Sequence, residues 1–223
     1  MTKPLKIGHR GAKGHIPENT LASIKRALNL KVDMIELDVH LCKTGELIVI
    51  HDEELESTTN GTGYVAAKTL KQLKSYKTEG GYEIPTLDEV FLLVENQAIL
   101  NIELKAVGTA EALMPYLKKY SKSKVLVSSF IFDELMTMRG LSIDVPLAVL
   151  TEDDLSMAFL QARHLKAAAV HPYHKLVGPD FIRDAHRNNF KVNVWTVNKK
   201  QSIEKMKQLG VDGIISDYPD RIA

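Results

Sequence analysis

Along nearly the whole chain, short apolar runs alternate with stretches whose apolar residues recur at helical spacing. The runs at 5–9, 34–40, 47–51, 98–104, 124–128, 146–150, 167–171, 191–196 and 213–216 read as strands. Between most of them the apolar period lengthens. Leu21, Ile24, Ala27 and Leu28 form one helical stripe, Leu87, Val90, Phe91 and Val94 a second, and Ile203, Met206 and Leu209 a third. Caps mark several helix starts: Asn19/Thr20, Thr86 before Asp88 and Glu89, and Pro179-Asp180. Gly210 closes the last helix.

Strand–helix alternation implies parallel strands joined by right-handed crossovers. With 47–51 as the return strand of a hairpin with 34–40, about eight strands remain, each followed by a helix. That count predicts an α/β fold, a (β/α)8 TIM barrel in one domain over residues 1–223. No glycine-rich dinucleotide fingerprint follows the first strand, which speaks against an open Rossmann sheet. Residues 52–84 break the rhythm. They are polar, hold one short helical pattern at 70–76, and read as a small insertion after the second barrel strand, over the end that carries active-site loops.

A chain of 223 residues, 44% hydrophobic, can bury a sizeable core. Its 29 basic and 28 acidic residues nearly balance, so no basic field points to nucleic acid or a stable membrane association. The fullest basic stretch, 118–124, reads as a solvated helix end. The one cysteine, Cys42, excludes an internal disulfide, fits a reducing compartment and is expected to be a packed residue. Strand pattern begins by Leu5, without an apolar signal segment or a transmembrane run, and the expected location is cytoplasmic.

Candidate chemistry collects at the strand ends. His9 ends the first strand with Arg10 and Gly11 directly behind it, Glu36 and Asp38 end the second, His51 ends its hairpin partner, and Glu103 and Lys105 end the third. Barrel enzymes keep their catalytic groups at such carboxyl ends. Side chains two apart on a strand share a face, so Glu36 and Asp38 point together, as do Glu103 and Lys105. Three converging carboxylates repel unless a cation or protons offset them, and an oxygen-only donor set suits a hard divalent cation, Mg²⁺ or Ca²⁺. Arg10 and Lys105 suit phosphate oxygens, and His9 and His51 suffice for a general acid and a general base. Together these residues point to a metal-assisted phosphodiesterase.

In order, HRGxxGxxPENT, ELDV, HD, TTNGTG, NIELK, SSF, WTVN and DGIISDYP resemble the glycerophosphodiester phosphodiesterase family over residues 5–219. The resemblance implies a barrel with a small insertion that cleaves a small-molecule glycerophosphodiester to sn-glycerol 3-phosphate and an alcohol. It places a divalent metal on Glu36, Asp38 and Glu103, acid–base catalysis on His9 and His51, and phosphate contacts on Arg10 and Lys105. It sets Trp195 as an aromatic wall beside the glycerol end. Glu18 and Asn19 are expected to hold the loop and cap the first helix. Ser57 stands where the family often has an arginine before the paired threonines, so the insertion is expected to be looser or shaped for a different head group.

Two other readings compete. A barrel acting on lysophospholipids would need an apolar, membrane-facing rim, which the Thr-, Gly- and Lys-rich insertion offers little of. A non-catalytic phosphodiester-binding barrel would have lost one of the named residues, and none is missing. Among the remaining histidines, His15 reads as a solvated loop residue, and His171 and His174 as candidates for the pocket rim. His40, His164 and His186 read as surface or packed residues.

Overall fold

The computed structural model describes residues 3–222. Its strands are β1 (Leu5–Gly8), β2 (Met34–Leu41), β3 (Leu47–Val49), β4 (Ile99–Leu104), β5 (Val125–Ser129), β6 (Leu147–Thr151), β7 (Ala169–Pro172), β8 (Lys191–Val194) and β9 (Gly213–Ser216). The helices are α1 (Leu21–Asn29), α2 (Leu70–Leu73), α3 (Leu87–Val94), α4 (Thr109–Lys119), α5 (Phe132–Leu141), α6 (Leu155–Leu165), α7 (Pro179–Arg187) and α8 (Lys200–Leu209). All strands but β3 pair in parallel, in the order β1-β9-β8-β7-β6-β5-β4-β2, and a β1–β2 pairing closes the ring. β3 adds antiparallel to β2 outside that ring. The result is a (β/α)8 TIM barrel.

Parallel strands are covered on both faces, which is why these runs are almost wholly apolar. Outward residues such as Ile35, Leu37 and Val39 of β2 join the helix stripes in the main core, where Ile24, Ala27, Leu87, Val90, Phe91, Val94, Ile203 and Met206 are all buried. A smaller cluster of Ile7, Met34, Leu126, Ala148, Ala169 and Ile215 fills the barrel itself. The caps work as the sequence suggests. Thr86 accepts from the Glu89 amide while the Glu89 carboxylate accepts from the Thr86 amide. Losing such a cap costs about 1 kcal/mol. Thr20 caps α1, Pro179 opens α7, and Gly210 ends α8 at φ 80°.

Three details depart from the sequence reading. Within the described residues a 3-10 turn at Pro219–Arg221, not a helix, follows β9. β3 stops at Val49, so His51 lies in the loop beyond it, although the Ile50 amide still donates to the Asp38 carbonyl. The 70–76 pattern yields only the four-residue α2, started by a Thr69–Gln72 capping box. Around α2, residues 52–84 form 3-10 turns and isolated bridges over their own apolar cluster of Ile50, Leu55, Val65, Leu73 and Ile84, shared with Ile48 and Cys42. Cys42 is packed there.

Candidate active site

The loop after β1 turns so tightly that glycine is required in it. A Cβ on Gly8 would meet the Gly11 carbonyl oxygen at 2.2 Å, and one on Gly11, at φ 86°, would meet Ser23 Oγ at 2.5 Å. Arg10 and Asn19 hold left-handed backbones, at φ 49° and 56°. That conformation costs on the order of 1–3 kcal/mol per non-glycine residue. What offsets it is contact with β2. The Arg10 amide donates to Glu36 Oε2 at 2.9 Å, and Asn19 Nδ2 donates to Asp38 Oδ2 at 2.9 Å. The Arg10 guanidinium donates to Glu18 at 2.6 Å and lies 3.3 Å from Asp38 Oδ2, close enough to pair but not aligned for a hydrogen bond.

Strand register brings the acids together. Asp38 of β2 stands directly opposite Glu103 of β4, and Glu36 lies two residues back on the same face. All three are buried, and one carboxylate oxygen from each lies within 4.8 Å of the others. Lys105 Nζ donates to Glu103 at 2.8 Å and lies 3.8 Å from Asp38. Three carboxylates against Arg10 and Lys105 leave one negative charge unmatched, in a place where burying charge costs several kcal/mol per ion. Burial, then the neighbouring carboxylates, pushes Glu36 well above its ordinary pKa, and Glu103 up to about 7. Burial also works against the Asp38 carboxylate, but Arg10, His51 and Lys105 outweigh it and hold that group low. A hard cation at the trio would replace the protons on Glu36 and Glu103, so the donor set fits one.

His9 and His51 are each tethered through Nδ1, so any proton transfer falls to Nε2. His9 Nδ1 contacts Asp217 Oδ1 at 2.6 Å, and His51 Nδ1 contacts Asp52 Oδ1 at 2.9 Å. Asn198 holds the other Asp217 oxygen at 2.6 Å. Burial lowers the His51 pKa, as do Arg10 and Lys105, and Lys105 Nζ stands 3.2 Å from His51 Nε2. An ammonium can only donate, so that Nε2 carries a lone pair and the ring proton sits on Nδ1, toward Asp52. His40 braces the same loop through the His51 carbonyl, at 2.9 Å.

His9, Arg10, Glu36, His51, Glu103 and Lys105 line one cavity of about 90 Å³, whose other wall is Phe130, Leu150, Trp195 and Ile215. Residues 9–221 match the model of the glycerophosphoryl diester phosphodiesterase family. The chain belongs to that family. Membership makes it a phosphodiester-cleaving enzyme. It is 36% identical to the glycerophosphodiester phosphodiesterase of Caldanaerobacter subterraneus subsp. tengcongensis, with 99% of this chain and 96% of that one aligned. To the Bacillus altitudinis glycerophosphodiester phosphodiesterase it is 37% identical, covering 96% and 95%. An Oleispira antarctica phosphodiesterase, solved with its product sn-glycerol 3-phosphate, superposes at TM-score 0.92 with 29% identity, covering 97% and 94%.

The fold brings together the eight residues given site roles: His9, Arg10, Glu36, His51, Glu103, Lys105 and Trp195 line the cavity, and Asp38 joins Glu36 and Glu103 in the acidic trio. Glu18 and Asn19 do more than hold the loop, since they bind Arg10 and Asp38 directly. Asp217 and Asn198 belong to the site as well, and their signal in the sequence is a place after barrel strands, in the DGIISDYP and WTVN motifs. His171 is not on the rim. It is fully buried inside the barrel beside Asn193 Nδ2 at 2.9 Å, where desolvation lowers its pKa to about 3. Its carbonyl accepts from the Trp195 indole at 2.7 Å, which fixes that ring. His15 sits in an exposed loop, paired with Asp220. Among the described residues no helix is long and apolar enough to cross a membrane.

Proposed function

We propose that this enzyme hydrolyses glycerophosphodiesters to sn-glycerol 3-phosphate and an alcohol, using His9 and His51 and a divalent cation, Mg²⁺ or Ca²⁺, held by Glu36, Asp38 and Glu103. The observation that carries the reading is the pair of aspartate-tethered histidines presenting Nε2 to one cavity beside three clustered, buried carboxylates. A bound cation supplies positive charge to the phosphoryl group as negative charge builds there.

The chain's own residues do the rest. Arg10 and Lys105 bind the phosphate oxygens, each already oriented by carboxylate partners. His51 Nε2, with its lone pair, takes the proton from the attacking water as the new oxygen–phosphorus bond forms. His9 Nε2 gives a proton to the departing alcohol oxygen as the ester bond breaks, and Asp217 stabilises the ring while it is charged. Trp195 walls the glycerol end.

The test is release of sn-glycerol 3-phosphate from glycerophosphocholine by metal-stripped protein, before and after adding Mg²⁺ or Ca²⁺. Release restored by either ion supports the reaction and the metal role together. Undiminished release by stripped protein would remove the metal from the scheme. No release under any condition would send the search to lysophospholipids.

A further inference from the structure

Beside the cavity runs a larger groove, about 560 Å³, between the loop after β1 and the insertion. One ion pair separates the two spaces. Glu18 lines the groove, Arg10 lines the cavity, and they bond across 2.6 Å. A phosphodiester held at Arg10 carries two ester arms. Phe130 and Trp195, in edge-to-face contact at 5.5 Å, line the cavity, and the groove opens past the Arg10–Glu18 pair.

Apart from Pro17 the groove's lining is polar, with Glu18, Glu56 and Glu79 offering carboxylate acceptors to hydroxyls beside Lys13 and Lys77. Its lysines are already engaged, Lys13 with Glu18 at 2.5 Å and Lys77 with Glu83 at 2.9 Å. Glu56 accepts from the Gly63 amide, and the Thr59 hydroxyl donates to the Leu55 carbonyl. The Ser57 and Thr58 hydroxyls and Asn60 Nδ2 make no hydrogen bond among the described residues. No aromatic ring lines the groove, so a quaternary ammonium would find none of the faces that usually bind it.

We infer that this groove is the head-group subsite, and that it selects a neutral, polyhydroxylated alcohol such as glycerol or inositol over a quaternary ammonium alcohol. The inference rests on the reaction proposed above. Hydroxyls of such an alcohol can donate to and accept from Ser57 and Thr58 and accept from Asn60, whereas choline's head offers no donor. Ser57 matters by its size: a long cationic side chain there would occupy the groove.

The experiment compares kcat/KM for glycerophosphoglycerol, glycerophosphoinositol, glycerophosphocholine and glycerophosphoethanolamine with the metal-loaded enzyme, in the wild type, a Thr58→Ala/Asn60→Ala double variant and Ser57→Arg. One well-placed hydrogen bond is worth about fivefold, so the polyol esters should lead the choline ester by roughly that factor or more. Both variants should pull that ratio toward one, through KM rather than kcat. The readout is a ratio between substrates, which general damage to the enzyme does not move. Four equal esters, an amine ester in the lead, or a ratio unmoved in both variants would overturn the subsite while leaving the reaction standing. Cleavage of none of the four would overturn the reaction, and the subsite with it.

Discussion

On one side of the cavity Arg10, Glu18, Asp38, Glu103 and Lys105 hold one another through contacts of 2.6 to 3.8 Å. On the other, Phe130, Tyr173 and Trp195 meet ring to ring, with centroids 5.5 and 5.6 Å apart. The charged side is over-determined. Arg10 has two acidic partners, and Lys105 has two hydrogen-bond acceptors and a longer ion pair with Asp38, so each cationic head is held from several directions. The aromatic side is held by packing and one indole hydrogen bond, a weaker and more forgiving constraint. Replacement of a directional group should therefore strike turnover, while replacement of a packed ring should strike affinity.

The largest effect belongs to the histidines. His9→Ala and His51→Ala should each cut kcat by roughly 100- to 10,000-fold, with thermal unfolding and metal affinity kept. Retention of most of the turnover in either variant would remove that residue from the scheme. The wild-type profile should be bell-shaped, with its acid limb below pH 6.5, because burial and then Arg10 and Lys105 keep His51 neutral to lower pH. A flat profile from pH 6 to 9 would count against the pair.

Next comes the tether. Asp217→Asn should lower kcat by about a hundredfold, since the His9 ring loses its fixed tautomer and its charge partner. An unchanged kcat would make Asp217 merely a loop anchor. Trp195→Phe should act differently, raising KM by roughly threefold to tenfold with kcat nearly kept, as ring area and the hydrogen bond to the His171 carbonyl are lost. A collapse of kcat instead would erase the contrast between the two sides.

The smallest effect is a pH-dependent shift in melting temperature. Burial and neighbouring carboxylates hold Glu103 protonated up to about pH 7 in the fold. A carboxyl raised in this way stabilises the metal-free fold below its ordinary pKa and loses that contribution as pH rises through 7. A cation must displace the same protons. Stabilisation by added Mg²⁺ or Ca²⁺ should therefore grow from pH 5.5 to pH 8, by about 2–4 °C per kcal/mol gained. A shift that stays constant over that range would mean the trio does not take up the ion.

Most of this site was legible because barrels put chemistry at strand ends and strands alternate faces. Spacing puts Glu36 with Asp38 on one face and Glu103 with Lys105 on another, and the register of β2 on β4 sets Asp38 opposite Glu103. His171 shows where the rule stops. Its place at a strand end looked like a rim position, but the face it takes points into the barrel, and alternation gives the face only once the register is known. Asp217 lies 208 residues from His9. No local period carries that contact, which exists only because β1 and β9 pair. Asn19 reads as a cap within its own fragment, while its bond to Asp38 depends on a left-handed backbone that the fragment does not announce.

The β1–β9 seam also sets the order in which activity can emerge during synthesis. His9 leaves the ribosome 208 residues ahead of the Asp217 that holds its ring, and well ahead of the Asn198 that holds Asp217. A nascent chain therefore carries its histidine unarmed until the final strand zips against the first. Removal of the chain from Gly213 onward would disarm it again, even with the three clustered carboxylates still in place.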